Sequence, residues 1–399
     1  MIKRILSLKS LTRPLLACQE RGRRLADRLS PPGSDNLLPS LPVGDELERF
    51  RNPGQAQVSW QNKQTQWWYF TGHLENEGGR KLGFELVFFE RQTQRDYLGI
   101  LPLRAIVPRF FVAHCAVSDP GHPNPARRFR YWQRGGLWDR RPASASDQRF
   151  QVEVGGWSAA QDENGVIRLQ AAWEDGDMHL DLKPAKPLVF HGDRGFSPKN
   201  TDGSVSSFYC SYTRLDAGGE IKIDNELMRV RGHAWMDIEK MTSRNEMLNS
   251  GWDWCSLQLD SGEDLMFYFI RRPAKGEIYS CGTWVTRDGQ SVFLHQGDIL
   301  LEDLEYWTSP RTEGKYPVRR RASIRSLCLD IEIRPLLEFC ELDTMRTSFN
   351  SYWEGPVTVE GRLGKKSGHG RGYMELVGYD RRGTAELCQL LFADGTIGK

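Results

Sequence analysis

Residues 232–259 read GHAWMDIEKMTSRNEMLNSGWDWCSLQL, and the first part of this stretch alternates with a period of two. His233, Trp235, Asp237 and Glu239 fall on one face, and Ala234, Met236 and Ile238 on the other. A β-strand places successive side chains on opposite faces, so this pattern specifies a strand with one apolar face and one aromatic-acidic face. At a rise of ~3.3 Å per residue, Asp237 and Glu239 stand about 7 Å apart at their Cα atoms. Such a face either meets solvent or lines a cavity, and the residue types alone leave both readings open. Trp252-Asp253-Trp254 opens a second apolar strand.

The rest of the chain has the same texture. Residues 67–74 (WWYFTGHL) are followed by a polar turn with two glycines and then by 82–89 (LGFELVFF), the signature of a β-hairpin. Residues 252–259 and 265–270 repeat this arrangement, a weak internal repeat consistent with two related β-domains. Further short strands separated by Gly-rich or polar breaks, with no long amphipathic helix past residue 50, predict a sandwich or barrel rather than a parallel sheet. The loop at 184–198, with His191, Asp193 and Arg194, is either a plain connection or the rim of a pocket. The expected division is an N-terminal extension and linker at 1–48, a first β-domain at 49–224 and a second at 225–399.

With 399 residues the chain has room for two domains. A net charge of +2 gives no reason to expect a nucleic-acid partner. The 13 Trp suit sheets packed around an apolar ligand and suit a core equally well. The eight Cys form no CxxC pair and no metal-type spacing, so they read as reduced, buried small hydrophobes. No GxSxG, HExxH, GxGxxG or Walker loop stands in its proper context, so no cofactor and no metal is expected. Residues 1–29 are basic and amphipathic, their apolar runs too short to span a membrane, which fits peripheral membrane contact. The expected location is the cytoplasm or a membrane surface. Leu15-Leu16-Ala17-Cys18 faintly resembles a lipobox, the alternative being export as a lipoprotein through Cys18.

Asp237 and Glu239 are the acid/base candidates, because two carboxyls sharing a cavity of low polarity do not both ionise cheaply. Ring faces of Trp235, Trp252, Trp254 and Tyr268 would favour a developing carbocation. The alternative is an exposed strand face with ordinary charges. In a second aromatic-acidic set, Tyr352 shares a face with Glu354, and Tyr373 shares one with Glu375. Arginine partners are the expected role for Glu354 and Glu375, the alternative being a place at the mouth of the second barrel.

Several segments together carry a family resemblance: Trp67–Leu74, Gly83-Phe84-Glu85-Leu86, Ala113–Asp119, His191–Ser197, Gly232–Asp237, Gly251–Trp254 and Tyr352–Gly355. In this order they resemble the lipocalin-like superfamily of AttH and carotenoid 1,2-hydratase (CrtC). The resemblance implies an all-β fold, two consecutive lipocalin-like antiparallel barrel or sandwich domains, with a ligand cavity in or between them. Its members include hydratases that add water to an isoprenoid double bond. It further implies a lipophilic ligand, isoprenoid-like or acyl. Asp237 would be the acid, Glu239 its partner and His233 a positioning group, with Trp67, Trp68, Trp235, Trp252, Trp254, Tyr268 and Trp353 as walls. Where the family tends to read Ala-Trp-Met-Asp-His-Glu and then an aromatic residue, this chain has Ile238 and Lys240. Two functions follow as expectations: a hydratase, hydrolase or isomerase working by carboxyl-mediated proton transfer, or a non-catalytic carrier.

Overall fold

The structure is a computed structural model that describes residues 65–93, 107–136, 139–146, 150–203, 205–241, 250–272 and 276–380, with short pieces at 97–98, 101–102 and 105. The N-terminal extension and Cys18 lie outside the described residues. Two antiparallel sheets carry the chain, of 13 and 11 strands among the described residues. The first runs in the order Phe129–Gly135, Arg109–Ser118, Lys81–Gln92, Thr65–Asn76, Glu226–Met241, Ser206–Ile223, Gly176–Pro184, Ile167–Trp173, Trp157–Gln161, then Gln151–Val154 and Ala143–Ala145. It curls on itself until Arg109 reaches the Ala145 carbonyl at 3.4 Å, near its far edge.

The second sheet runs Ser291–Leu294, Glu277–Val285, Asp264–Arg272, Gly251–Leu259, Gly370–Val377, Ser351–Leu363, Leu329–Pro335, Lys315–Ile324, Ile299–Thr308. Its nine strands follow the order of the first nine of the first sheet, which carries two more at its far edge. In both, the opening strand lies between its hairpin partner and the strand that closes the unit. The weak repeat of the sequence is thus a repeat of topology. The sequence placed the division at 224–225, but Glu226–Met241 pairs with Thr65–Asn76 from Val230 to Met241. The change of sheet falls between Met241 and Gly251, because this strand closes the first unit instead of opening the second.

Period two decides where every side chain goes. Trp68, Phe70, Phe84, Leu86, Ala234, Met236 and Ile238 fill the inside of the first sheet. Cys255, Leu257, Phe267, Trp353, Met374 and Leu376 fill the inside of the second. The alternate positions face the other sheet: Tyr69, Val87, Tyr209 and Trp235 meet Trp254, Met266, Tyr268 and Tyr373 in a buried seam. The backbones approach closely here, since a Cβ on Gly83 would stand 2.6 Å from the Pro356 ring. Buried His73 crosses the seam and donates from Nε2 to the Gly372 carbonyl at 2.7 Å.

Asp264, fully buried, ties the seam at one end. It accepts from Thr213 at 2.9 Å and Arg214 at 2.6 Å and pairs with Lys186 at 2.7 Å. Five of the cysteines are buried free thiols, as expected. Cys328 differs: it sits partly exposed at a turn with φ 51°, outside either core, and is disulfide-bonded. Among the described residues no helix is long and apolar enough to cross a membrane. Removing one member of a buried ion pair leaves its partner uncompensated. Asp264→Asn is therefore expected to cost about 3–5 kcal/mol of stability in urea unfolding. A cost under about 1 kcal/mol would show that this cluster does not hold the sheets together.

Candidate active site

The aromatic-acidic face of Glu226–Met241 is turned into the seam. Asp237 is 3% exposed and lies directly opposite Tyr69 on one neighbouring strand and Ser211 on the other. Three donors hold it: the Trp235 indole at 2.6 Å, the Tyr209 hydroxyl at 2.7 Å and the Ser211 hydroxyl. Tyr209 in turn accepts from the Trp254 indole at 2.9 Å, a bond that crosses from the second sheet. Ser211 gives its one proton to Asp237, so it accepts from His191 Nε2 at 2.7 Å, and His191 Nδ1 accepts from Thr283 at 2.9 Å. Burial holds His191 neutral, its pKa lowered to about 3. Burial also pushes the Asp237 carboxyl up to about 7, against the pull of its donors. This acid holds a proton near neutrality, and the donors that would stabilise its anion are already in place.

Glu239 has a different environment. It pairs with buried Lys199 at 2.6 Å and accepts from Ser207. The Lys199 ammonium also stands 4.1 Å over the Tyr268 ring and 5.0 Å over that of Tyr209. Tyr268 bonds to Ser197 at 2.7 Å and to the Pro198 carbonyl. Glu239 is thus the anion of a closed ion pair.

A second set of carboxyls faces Asp237 from across the seam. Glu375 accepts from the Trp252 indole at 2.9 Å, and its cross-strand neighbour Glu354 accepts from Tyr69 at 2.5 Å. Glu85 lies within range of the Tyr352 hydroxyl, which bonds His114 at 2.8 Å. Desolvation and mutual repulsion push Glu85 up to about 8 and Glu354 well above the usual range. Desolvation raises Glu375 to about 7. The arginine partners expected for Glu354 and Glu375 are not found among the described residues; a tyrosine and an indole stand in their place.

Of the residues singled out in the sequence, Asp237, Glu239, Trp235, Trp254 and Tyr268 meet in the seam, fringed by partly buried Trp67 and Trp252. Trp68 and Trp353 point the other way, each into the interior of its own sheet. His233 shares the face of Asp237 but sits four residues, roughly 13 Å, along the strand. It pairs with Asp216 at 3.3 Å and lines a separate pocket of about 480 Å³ with Arg214, Arg231, Gln258 and Arg371. Ile238 packs into the first core and buried Lys240 shares its parity, so the departures from the family pattern lie behind the strand, not beside Asp237. Sequence reasoning missed Tyr209, Ser211 and Lys199 as partners. Parity along 206–212 would have put Ser207, Tyr209 and Ser211 on one polar face. Among the described residues no group of three or more His, Cys, Asp or Glu is placed to hold a metal ion.

Two curled antiparallel sheets, each around its own apolar interior, with a polar seam between them, define a lipocalin-like β-protein. The family model described as AttH-like matches residues 52–379, and the chain belongs to the AttH-like family. An AttH protein from Nitrosomonas europaea is 30% identical, with a TM-score of 0.71 over 86% of this chain and 100% of that one. Kievitone hydratase from Nectria haematococca shares the fold at 13% identity, with a TM-score of 0.60 over 80% of this chain and 91% of its own. No curated protein matches the sequence significantly.

The raised carboxyls make stability depend on pH. An acid whose folded pKa lies above its unfolded value binds more protons when folded, so its contribution is lost as pH rises towards the folded pKa. Neutral buried His73, His114 and His191, lowered to about 4, 3 and 3, act with the opposite sign, but only below their ordinary value of 6.5. Between pH 6.5 and 8 the carboxyls act without that opposition, and stability is expected to fall. Glu85→Gln should flatten this fall by about 2 kcal/mol, at about 1.36 kcal/mol per pKa unit. Denaturant titrations at both pH values check it, and equal slopes in wild type and variant would mean that Glu85 is not held protonated.

Proposed function

We propose that this protein is an enzyme that acts on a lipophilic, isoprenoid-like or acyl molecule by proton transfer from Asp237. The observation that carries this reading is the setting of that one carboxyl. It is buried enough to keep its proton near pH 7, and three fixed donors wait for the charge it acquires on giving the proton up. Donors that need no reorganisation at the moment of reaction stabilise developing charge far better than solvent does. On an alkene, the Asp237 proton bonds to one carbon of the double bond and leaves a cation on the other. The rings of Trp235, Trp254 and Tyr69 surround the acid, with Trp254 edge-on to Tyr69 at 5.2 Å and to Trp235 at 6.4 Å. Aromatic walls favour such a cation by their ring faces and carry no nucleophile of their own. Water closes the reaction by bonding to the cation and losing a proton, which makes it a hydration. Loss of a neighbouring C–H proton instead makes it an isomerisation. Hydration is the chemistry named for one distant fold neighbour, whose likeness supports the fold.

Ile238 and Lys240 do not weaken this reading, because their side chains lie on the opposite face of the strand from Asp237. The test is direct. Organic extraction of the purified protein and mass spectrometry identify a co-purifying molecule, and turnover of that molecule and of geranylgeraniol is followed in ¹⁸O-water. Asp237→Asn is expected to lower turnover by about 10²–10⁴-fold, the usual contribution of a positioned proton donor. Binding by wild type and variant without turnover by either would make the protein a carrier for that ligand.

A further inference from the structure

The proton-transfer reading needs a second group, one that takes a proton as Asp237 gives one. Glu239, two residues along the strand, is the natural candidate from sequence. Lys199 at 2.6 Å and Ser207 already occupy it, in a closed pair that is 6% exposed.

The internal repeat points elsewhere. Residues 67–74 correspond to 252–259, so Tyr69 corresponds to Trp254. These two positions touch across the seam, edge to face at 5.2 Å, as equivalent positions do around an approximate two-fold axis. In the first sheet the residue directly opposite Tyr69 on the closing strand is Asp237. In the second sheet the residue directly opposite Trp254 on the closing strand is Glu375. Glu375 therefore holds in its unit the place that Asp237 holds in the other. Two short paths join them. Asp237 accepts from Tyr209, which accepts from Trp254, the neighbour of Glu375. Tyr69, the neighbour of Asp237, donates across the seam to Glu354, the other neighbour of Glu375.

We propose that Asp237 and Glu375 form the carboxyl pair of this site, sharing one proton, so that one acts as acid while the other is the base. The groups that face Glu375 allow no other compensation of its charge. Asp237 and Glu239 come from the closing strand of the first sheet, Glu85 and Tyr69 from its hairpin, and Glu354 from a flanking strand of the second sheet, while Asp253 acts from the far face of the other flanking strand. The cations nearby are engaged: Lys199 with Glu239, and Arg271 and Arg320 with Asp253 at 2.9 and 2.6 Å. One oxygen each of Glu85 and Glu354 is buried with no hydrogen-bond partner, so the acids on this side of the seam already outnumber the donors they use. Two uncompensated carboxyls in such a space do not both ionise, and their protons leave in coupled steps. The pair is unequal in a useful way. Asp237 is enclosed by donors, while Glu375 is partly exposed beside partly buried Trp252, Trp67 and Phe89, the open flank of the seam. An incoming water can reach Glu375 there. In a hydration, Asp237 loses its proton to the alkene carbon, the water oxygen bonds to the cation, and Glu375 takes the released proton. Proton return from Glu375 to Asp237 restores the starting state.

The functional meaning rests on Asp237 as proton donor, but the test does not need turnover. Each carboxyl has its own indole reporter: Trp235 donates to Asp237 and Trp252 to Glu375. In protein labelled with ¹⁵N-tryptophan, both indole N–H signals are followed from pH 5 to 9. Asp237→Asn is expected to move the Trp252 midpoint down by at least about half a unit, and Glu375→Gln to move the Trp235 midpoint likewise, because removing a nearby charge eases ionisation of the other group. Both variants keep an acceptor for the indole, so both are expected to fold. A Trp252 signal that does not titrate, or midpoints that ignore the other substitution, would overturn the pairing. It would leave the Asp237 reading to stand or fall on its own turnover test.

Discussion

The two sheets are joined through faces that carry acids, hydroxyls and indoles, and the rest of the molecule follows from that choice. Each sheet needs an apolar side, and each satisfies that need on its inside. The outward faces then have to bury against each other, and a buried polar face is stable only if its groups find partners. The seam meets this demand with long-range bonds. Trp254 reaches Tyr209, Tyr69 reaches Glu354, His73 reaches Gly372, and Lys186 and Arg214 reach Asp264. The exceptions are informative. Orphaned oxygens of Glu85 and Glu354 and the Tyr373 hydroxyl gather in one part of the seam, where the polar groups are mostly acids.

Much of this is legible in the sequence, and the limit has a physical reason. Period two fixes which residues share a face, so Trp235, Asp237 and Glu239 were correctly grouped, and Tyr352 was correctly set with Glu354. Period two does not say what a face looks at. Trp68 and Trp353 were expected as pocket walls, yet each is a core residue of its own sheet, because an indole serves either role equally well. His233 shows a second limit. Sharing a face is not sharing a site when a strand as long as Glu226–Met241 runs from one edge of the seam to the other. The family departure at Ile238 looked like damage to the site only while the strand was read as a line of neighbours. On a pleated strand adjacent residues lie in different compartments.

What sequence alone withholds is register between distant strands. That Asp237 lies opposite Tyr69, or that Glu375 lies opposite Trp254, depends on pairings across more than a hundred residues of chain. His191 is hidden for a related reason. Its loop packs from the side onto Ser206–Ile223, and only that docking brings the ring to Ser211. Once the registers are known, the faint repeat of the sequence becomes informative, because it says which residues of the two units are equivalent.

That equivalence also shows how the two halves differ. Opposite Asp237 the neighbouring strand offers Ser211, with Tyr209 two residues away, and both donate. Opposite Glu375 the corresponding strand offers Glu354, which cannot donate without a proton of its own. The two carboxyls, counterparts in position, sit one among donors and one among acids. Donors favour the anion and neighbouring acids oppose it, so the seam differs most in electrostatics where it is most alike in backbone. A symmetric pair would share a proton evenly and favour neither direction of transfer. The asymmetry would give a proton a side to leave from and a side to arrive at, which is what the proposed transfer requires.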